Sequence, residues 1–193
     1  HVNVGASIYV TNESILTRDF WMNFKKNKIT SFNGVPYAYK ILDQLNIKLA
    51  FNKYVKSFTQ AGGDLEKEVK YRIINKCKKK KIKFFCMYGQ TEAGPRISYL
   101  DPKFSLEKIG SIGKPLKGYR VEILNSKNEI IKKRNKIGRL ILYGKNVFLG
   151  YANSLKDLTK NIKLKKKLVT GDYGYRDNNG FIYLTSRSGK IAK

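Results

Sequence analysis

The sequence predicts an α/β fold in two parts. A layered α/β subdomain with a largely parallel sheet is expected over residues 1–103, and a small β-rich subdomain, a distorted barrel or meander, over residues 104–193. Three observations carry this expectation. Apolar strands alternate with amphipathic helical stretches through the first hundred residues, the pattern of a sheet covered by helices. The third of those helical stretches has acids at its start and lysines at its end, the polarity that the helix dipole favours. Beyond residue 100 helical periodicity stops, and glycines and turn pairs separate short alternating strands.

Taken in order, Val4, Ala6, Ile8 and Val10 alternate as in a short strand over residues 4–10. Thr17 is a candidate N-cap for a helix over 18–27, with Asp19 in its first turn. Phe20, Trp21 and Phe24 form one apolar stripe on that helix, which reads as core packing. A strand over 29–32 ends at Asn33-Gly34, and Pro36 suits the first position of a helix over 36–45. A strand over 54–58 runs into Ala61-Gly62-Gly63-Asp64, where two glycines free the backbone for close approach. Asp64 is a candidate N-cap for a helix over 65–79, with Glu66 and Glu68 first and Lys78 to Lys80 last. Residues 82–87 form a nearly continuous apolar strand that ends at Tyr88-Gly89. In the second part, strands are expected over 119–124, 139–143 and 181–184, a short helix over 155–162, and a solvated lysine loop over 163–167.

Composition narrows the class. With 41% hydrophobic and 12% aromatic residues, the chain can fill a core and is not compositionally disordered. No apolar run reaches the ~18 residues of a membrane-spanning helix. Cys77 and Cys86 do not make a disulfide framework or a zinc spacing, so they read as buried thiols in a reducing compartment. With no leader visible after His1, the expected location is the cytoplasm.

The formal charge of +26 raises a basic module that binds nucleic acid or a membrane surface. Lysine outnumbers arginine 32 to 8, whereas arginine is the better residue for bidentate phosphate and base contacts. The lysines are also spread along the chain, so no specific nucleic-acid partner is expected. The basic-module reading predicts lysines clustered on one face among exposed aromatics.

Two short stretches carry the chemistry. Tyr88-Gly89-Gln90-Thr91-Glu92 follows a predicted strand, the edge at which open α/β sheets bind ligands. It supplies an aromatic face, a flexible joint, a hydroxyl and a carboxylate, groups suited to a base, a phosphate and a hard cation. About eighty residues on comes Thr170-Gly171-Asp172, followed fifteen residues after Asp172 by Arg187. Read alone, Gly-Asp is a turn, although a carboxylate also suits a vicinal diol. There is no Ser/His/Asp triad and no His/Cys cluster.

In this order and spacing the motifs resemble the adenylate-forming (AMP-binding) superfamily, which includes acyl- and aryl-CoA synthetases, firefly-luciferase-like enzymes and peptide-synthetase adenylation domains. Tyr88 through Glu92 matches the family's Tyr-Gly-x-Thr-Glu pattern at every fixed position. The resemblance implies an ATP-dependent ligase that makes an acyl-adenylate from a small carboxylic acid. It then passes the acyl group to CoA or a phosphopantetheine carrier. It further implies that Tyr88 packs on adenine, Thr91 contacts the α-phosphate and Glu92 ligates Mg²⁺, so that Thr91 and Glu92 would be catalytic. Gly62, Gly63 and Asp64 look like the turn that borders the adenine. Cys86, Met87 and Gly89 would border the nucleotide and acyl pocket. Asp172 would accept from the ribose hydroxyls, and Arg187 would contact ribose and phosphate. Electrostatic stabilisation of the α-phosphate would carry the reaction, with no covalent nucleophile.

The family's phosphate loop should lie before His1 and its small C-terminal domain, with a catalytic lysine, after Lys193. The chain therefore reads as a stretch of a longer enzyme, expected to be inactive by itself. Gly189 stands at the family hinge position, with Lys190 beside it. A family member that has lost catalysis is the remaining alternative.

Overall fold

The structure is a computed structural model that describes residues 2–159 and 166–187. The chain divides into two compact units, His1–Phe85 with Pro102–Ile109, and Cys86–Asp101 with Gly110–Lys193. The chain thus passes between the units three times, whereas the texture of the sequence changes once, near residue 104.

The first unit holds α1 (Arg18–Lys26), β1 (Ser31–Gly34), α2 (Pro36–Gln44), β2 (Ser57–Gln60) and α3 (Lys67–Lys79). Thr17 caps α1 as expected, its hydroxyl accepting from the Phe20 amide at 3.3 Å. β1 and β2 pair in parallel, Phe32 beside Phe58. Aromatic rings fill the core: Trp21 lies 5.4 Å from Phe32, and Phe32 lies 5.8 Å from Phe58, ring centre to ring centre. Tyr39 is fully buried and satisfies its hydroxyl on the Thr59 carbonyl at 2.8 Å.

Two expectations are corrected here. Residues 4–10 form no strand; a short 3₁₀ turn at Val2–Val4 gives way to irregular chain with Val4, Ile8 and Val10 exposed. Alternation alone does not make a strand without an edge to pair with, and no strand among the described residues pairs with it. Asp64 does not cap α3; Glu66 occupies that position. Leu65 between them is fully buried, so the chain turns inward before it enters the helix. The Asp64 carboxylate instead lies 3.5 Å from the ammonium of Lys70, which is buried.

β3 (Lys83–Gln90) starts beside β2, the Lys83 amide donating to the Lys56 carbonyl, and continues into the second unit. That unit adds β4 (Gly94–Leu100), β5 (Ser111–Pro115), β6 (Tyr119–Leu124), β7 (Gly138–Gly144), α4 (Leu155–Leu158), β8 (Lys167–Arg176) and β9 (Ile182–Arg187). Its strands run β3-β4-β5-β9-β8-β7-β6, antiparallel throughout. β6 ends the order without pairing back, so the sheet is open and the distorted-barrel expectation is corrected. The core under it gathers Val121 opposite Leu142 and Ile123 opposite Leu140, with Ile97, Val147 and Ile182.

β8 contains the Gly-Asp pair that reads alone as a turn. Gly174 explains part of the disguise: a side chain there would stand 2.1 Å from the Tyr183 carbonyl oxygen of β9, so the strand itself requires glycine. The expected helix over 155–162 is described only as α4, and most of the 163–167 loop, together with Gly189 and Lys190, lies outside the described residues.

Candidate nucleotide site

The second unit brings the motif residues together through strand register. On β3, period-two alternation puts Cys86, Tyr88 and Gln90 on one face and Met87 on the other. β8 and β9 pair so that Asp172 stands directly opposite Arg187. Asp172 is only 6% exposed, and a buried carboxylate must be matched by donors.

Three groups supply them. The Tyr88 hydroxyl donates to Asp172 Oδ2 at 2.6 Å. The Gln90 amide donates to the same oxygen at 2.5 Å and to the Tyr88 hydroxyl oxygen at 2.7 Å. Arg187 Nε lies 3.6 Å from Oδ1, an ion pair looser than a hydrogen bond. One carboxylate oxygen is therefore committed to the protein while the other faces a guanidinium that is 60% exposed. Burial, followed by the hydrogen bond to Asp172, pushes the Tyr88 phenol above its ordinary value and keeps it a donor. The Asp172 amide in turn donates to the Thr170 hydroxyl at 3.0 Å.

The β3–β4 hairpin presents the rest of the motif. Gln90 pairs with Gly94, leaving Thr91, Glu92 and Ala93 as the turn. Ala93 is fully buried and anchors it, its carbonyl accepting from the Tyr119 hydroxyl at 2.7 Å. The Glu92 carbonyl accepts from the Phe148 amide at 2.8 Å. Thr91 stays exposed. The Glu92 carboxylate accepts from the Tyr151 hydroxyl at 2.5 Å, and that bond holds its pKa below the ordinary carboxylate range. Gly89 is required: a side chain there would stand 2.1 Å from the Pro95 carbonyl oxygen across the hairpin.

Among the described residues no cluster of three His, Cys, Asp or Glu can hold a metal ion. A lone, ionised Glu92 still fits Mg²⁺, which keeps several waters and is usually bound by one or two carboxylates plus substrate phosphates. Gly62, Gly63 and Asp64 belong to the first unit, where the Gln60 amide donates to the Gly63 carbonyl at 2.8 Å and both glycines have positive φ.

Gln90 and Tyr151 are the residues that sequence reasoning passed over. Gln90 is the variable position of its motif, and its one signal is a place two residues from Tyr88 on the same strand face. Tyr151 reaches Glu92 from 59 residues away and carries no local signal of that pairing.

The family model for AMP-binding enzymes matches residues 1–152. The chain belongs to the AMP-binding enzyme family. Among curated relatives, the 2-succinylbenzoate–CoA ligase of Bacillus subtilis (strain 168) is 34% identical over 116 residues, covering 60% of this chain and 23% of that protein. The Bacillus anthracis (strain A0248) ligase of the same name is 32% identical over 151 residues, covering 77% of this chain and 30% of that protein. The chain thus spans between 23% and 30% of the length of these two relatives.

Among solved structures, o-succinylbenzoate CoA synthetase from Bacillus subtilis, in complex with ATP and magnesium ion, matches with a TM-score of 0.72 at 26% identity, over 91% of this chain and 34% of that one. The anthranilate CoA ligase AuaEII bound to anthranoyl-AMP matches with a TM-score of 0.76 over 96% of this chain and 35% of that one, and at 20% identity it speaks for the fold alone. Asp172 and Arg187 lie beyond the stretch matched by the AMP-binding family model.

Proposed function

We propose that this chain carries the nucleotide-handling residues of an ATP-dependent acid–thiol ligase, which forms an acyl-adenylate and then a CoA thioester. The observation that supports it most is the Tyr88–Gln90–Asp172–Arg187 arrangement: a buried carboxylate fixed by two neutral donors, with its second oxygen beside an exposed cation. A carboxylate held this way suits the vicinal hydroxyls of ribose, and the neighbouring guanidinium suits a phosphate. It sits in the family's motif order, on a chain that belongs to the family.

In this reading Asp172 binds ribose through Oδ1, and Arg187 reaches ribose and phosphate. Tyr88 gives its hydroxyl to Asp172 and borders the adenine, and Thr91 contacts the α-phosphate. Glu92 holds Mg²⁺, which when bound would neutralise charge on the phosphates. Gly62, Gly63 and Asp64 supply the adenine turn, and Cys86, Met87 and Gly89 border the nucleotide and acyl pocket. CoA is the acceptor favoured by the names of the relatives, and 2-succinylbenzoate is the first acid to test. No helix among the described residues is long and apolar enough to cross a membrane. A cytoplasmic setting is the one we propose.

Calorimetric titration of the chain with a nonhydrolysable 2-succinylbenzoyl-AMP analogue tests the assignment. Saturable binding is expected, weakened roughly tenfold or more by Asp172→Ala, the loss of a charged hydrogen-bonding partner. Equal binding by both proteins would remove Asp172 from the site. No binding by the unsubstituted chain would mean that these residues do not form a nucleotide site in this chain.

A further inference from the structure

The first unit contains a second concavity that the ligase reading does not use. It has a volume of about 830 Å³, within the usual range for small-molecule sites. Six of its ten lining residues are lysines: Lys25 at the end of α1, Lys48 and Lys53 between α2 and β2, and Lys79, Lys80 and Lys81 at and after the end of α3. No aspartate or glutamate lines it, and none of the six makes an ion pair among the described residues.

Like charges gathered around one hollow repel, because the screening length at physiological salt is about 8 Å. Compensation of helix ends explains only a fraction of them. The C-termini of α1 and α3 each carry about half a negative charge, against six positive ones. The backbone adds a second sign. Lys81 follows α3, and Lys28 follows α1, at φ of 57° and 53°, left-handed positions where glycine or asparagine ends a helix with least strain. Lysine stands at both, and Lys28 and Lys53 lie 6.0 and 5.3 Å from the ring centre of Tyr54, which also lines the hollow.

We infer that this lysine-lined hollow binds a soluble polyphosphate, a small molecule with two or more phosphate groups close together. Lysine binds phosphate as a compact point charge and needs no planar partner, and arginine, the better reader of planar carboxylates, is absent from the lining. Single-stranded nucleic acid would require open aromatic faces for stacking, whereas Tyr54 is attended by two ammonium groups. A hollow also suits a discrete ligand better than a flat bilayer does. The inference is independent of the proposed ligase activity.

Inorganic tripolyphosphate is the probe, since it has no adenosine to engage the nucleotide site. Lysine acylation followed by mass spectrometry is run on the unsubstituted chain with and without it, at physiological salt. Protection concentrated at Lys25, Lys48, Lys53 and Lys79 to Lys81, with Lys132 and Lys133 unprotected, is expected. Calorimetry is then repeated with Lys79→Gln/Lys80→Gln/Lys81→Gln and with the charge-matched set Lys132→Gln/Lys133→Gln/Lys136→Gln. The first set should weaken binding roughly tenfold or more, and the second about twofold or less. Uniform protection, or equal loss in both sets, would overturn the site in favour of diffuse attraction by a +26 chain. Absence of saturable binding would overturn it outright. Binding confined to vesicles of phosphatidylcholine with phosphatidylinositol bisphosphate would overturn it in favour of a membrane contact.

Discussion

The Tyr88 hydroxyl donates to Asp172 at 2.6 Å, tying residues that lie 84 positions apart in the chain. Both ends of the bond are buried, so it is exchanged against water at neither end. Tyr88→Phe keeps the ring in the core and deletes one donor to a buried charge. Denaturant unfolding should show a loss of about 1–3 kcal/mol. An unchanged midpoint would mean that the Gln90 amide alone satisfies that oxygen.

The same bond gives a signature at alkaline pH. The folded-state phenol titrates above its ordinary value of 10.0, so its contribution is fully present below pH 10 and is lost as the pH rises further. The stability gap between the unsubstituted chain and Tyr88→Phe should be constant from neutrality to about pH 9.5 and should narrow above about pH 10. Urea unfolding across that range measures it. A gap that widens with pH would contradict a protonated, buried Tyr88.

Gly89→Ala tests the hairpin. Its new methyl group would stand 2.1 Å from the Pro95 carbonyl oxygen, backbone that cannot rotate away. A destabilisation of about 1–3 kcal/mol or more is expected, with chemical-shift changes centred on the β3–β4 turn. A stability loss below a few tenths of a kcal/mol would show that the strands are not so close there.

Tyr151→Phe should release Glu92. Its hydroxyl is the largest cause of the lowered pKa of that carboxyl, so removal should move Glu92 back up toward the ordinary glutamate range. Carbon-detected NMR titration of the glutamate carboxyls reads this directly. A Glu92 titration that does not move would mean that the pair is not formed in solution.

The Cys77 thiol, pushed up to about 12 by burial, should resist alkylation in the folded chain at pH 8. Labelling should appear only as urea opens the first unit. Fast labelling without denaturant would place Cys77 outside the core.

Elements with a local mechanism were legible in the sequence. Thr17 and the Phe20–Trp21–Phe24 stripe announced α1, and Pro36 announced the start of α2. β4, β5 and β8 were not legible as strands, because Pro95, Gly113, Gly171 and Gly174 carry the chemistry of turns. Gly113 and Gly174 answer to neighbouring strands, information that no local window contains. The site divides in the same way. Tyr88, Glu92, Asp172 and Arg187 stood out as a series, whereas Gln90 and Tyr151 acquire meaning only once distant strands have paired.

The turn between β8 and β9 has a consequence for how this site tolerates change. Asp177 closes it, accepting from the Gly180 amide at 3.0 Å and donating to the Phe181 carbonyl at 2.9 Å, and the ladder beyond it sets Arg187 against Asp172. Side chains on a strand alternate faces, so one residue added to that turn would send Arg187 to the opposite side of the sheet. The loop therefore works as a ruler. Its shape is held by Asp177, whose carboxylate accepts from the Asn179 and Phe181 amides, and by Gly180 at a φ of 85°, and a single-residue insertion should abolish the ion pair without touching either partner.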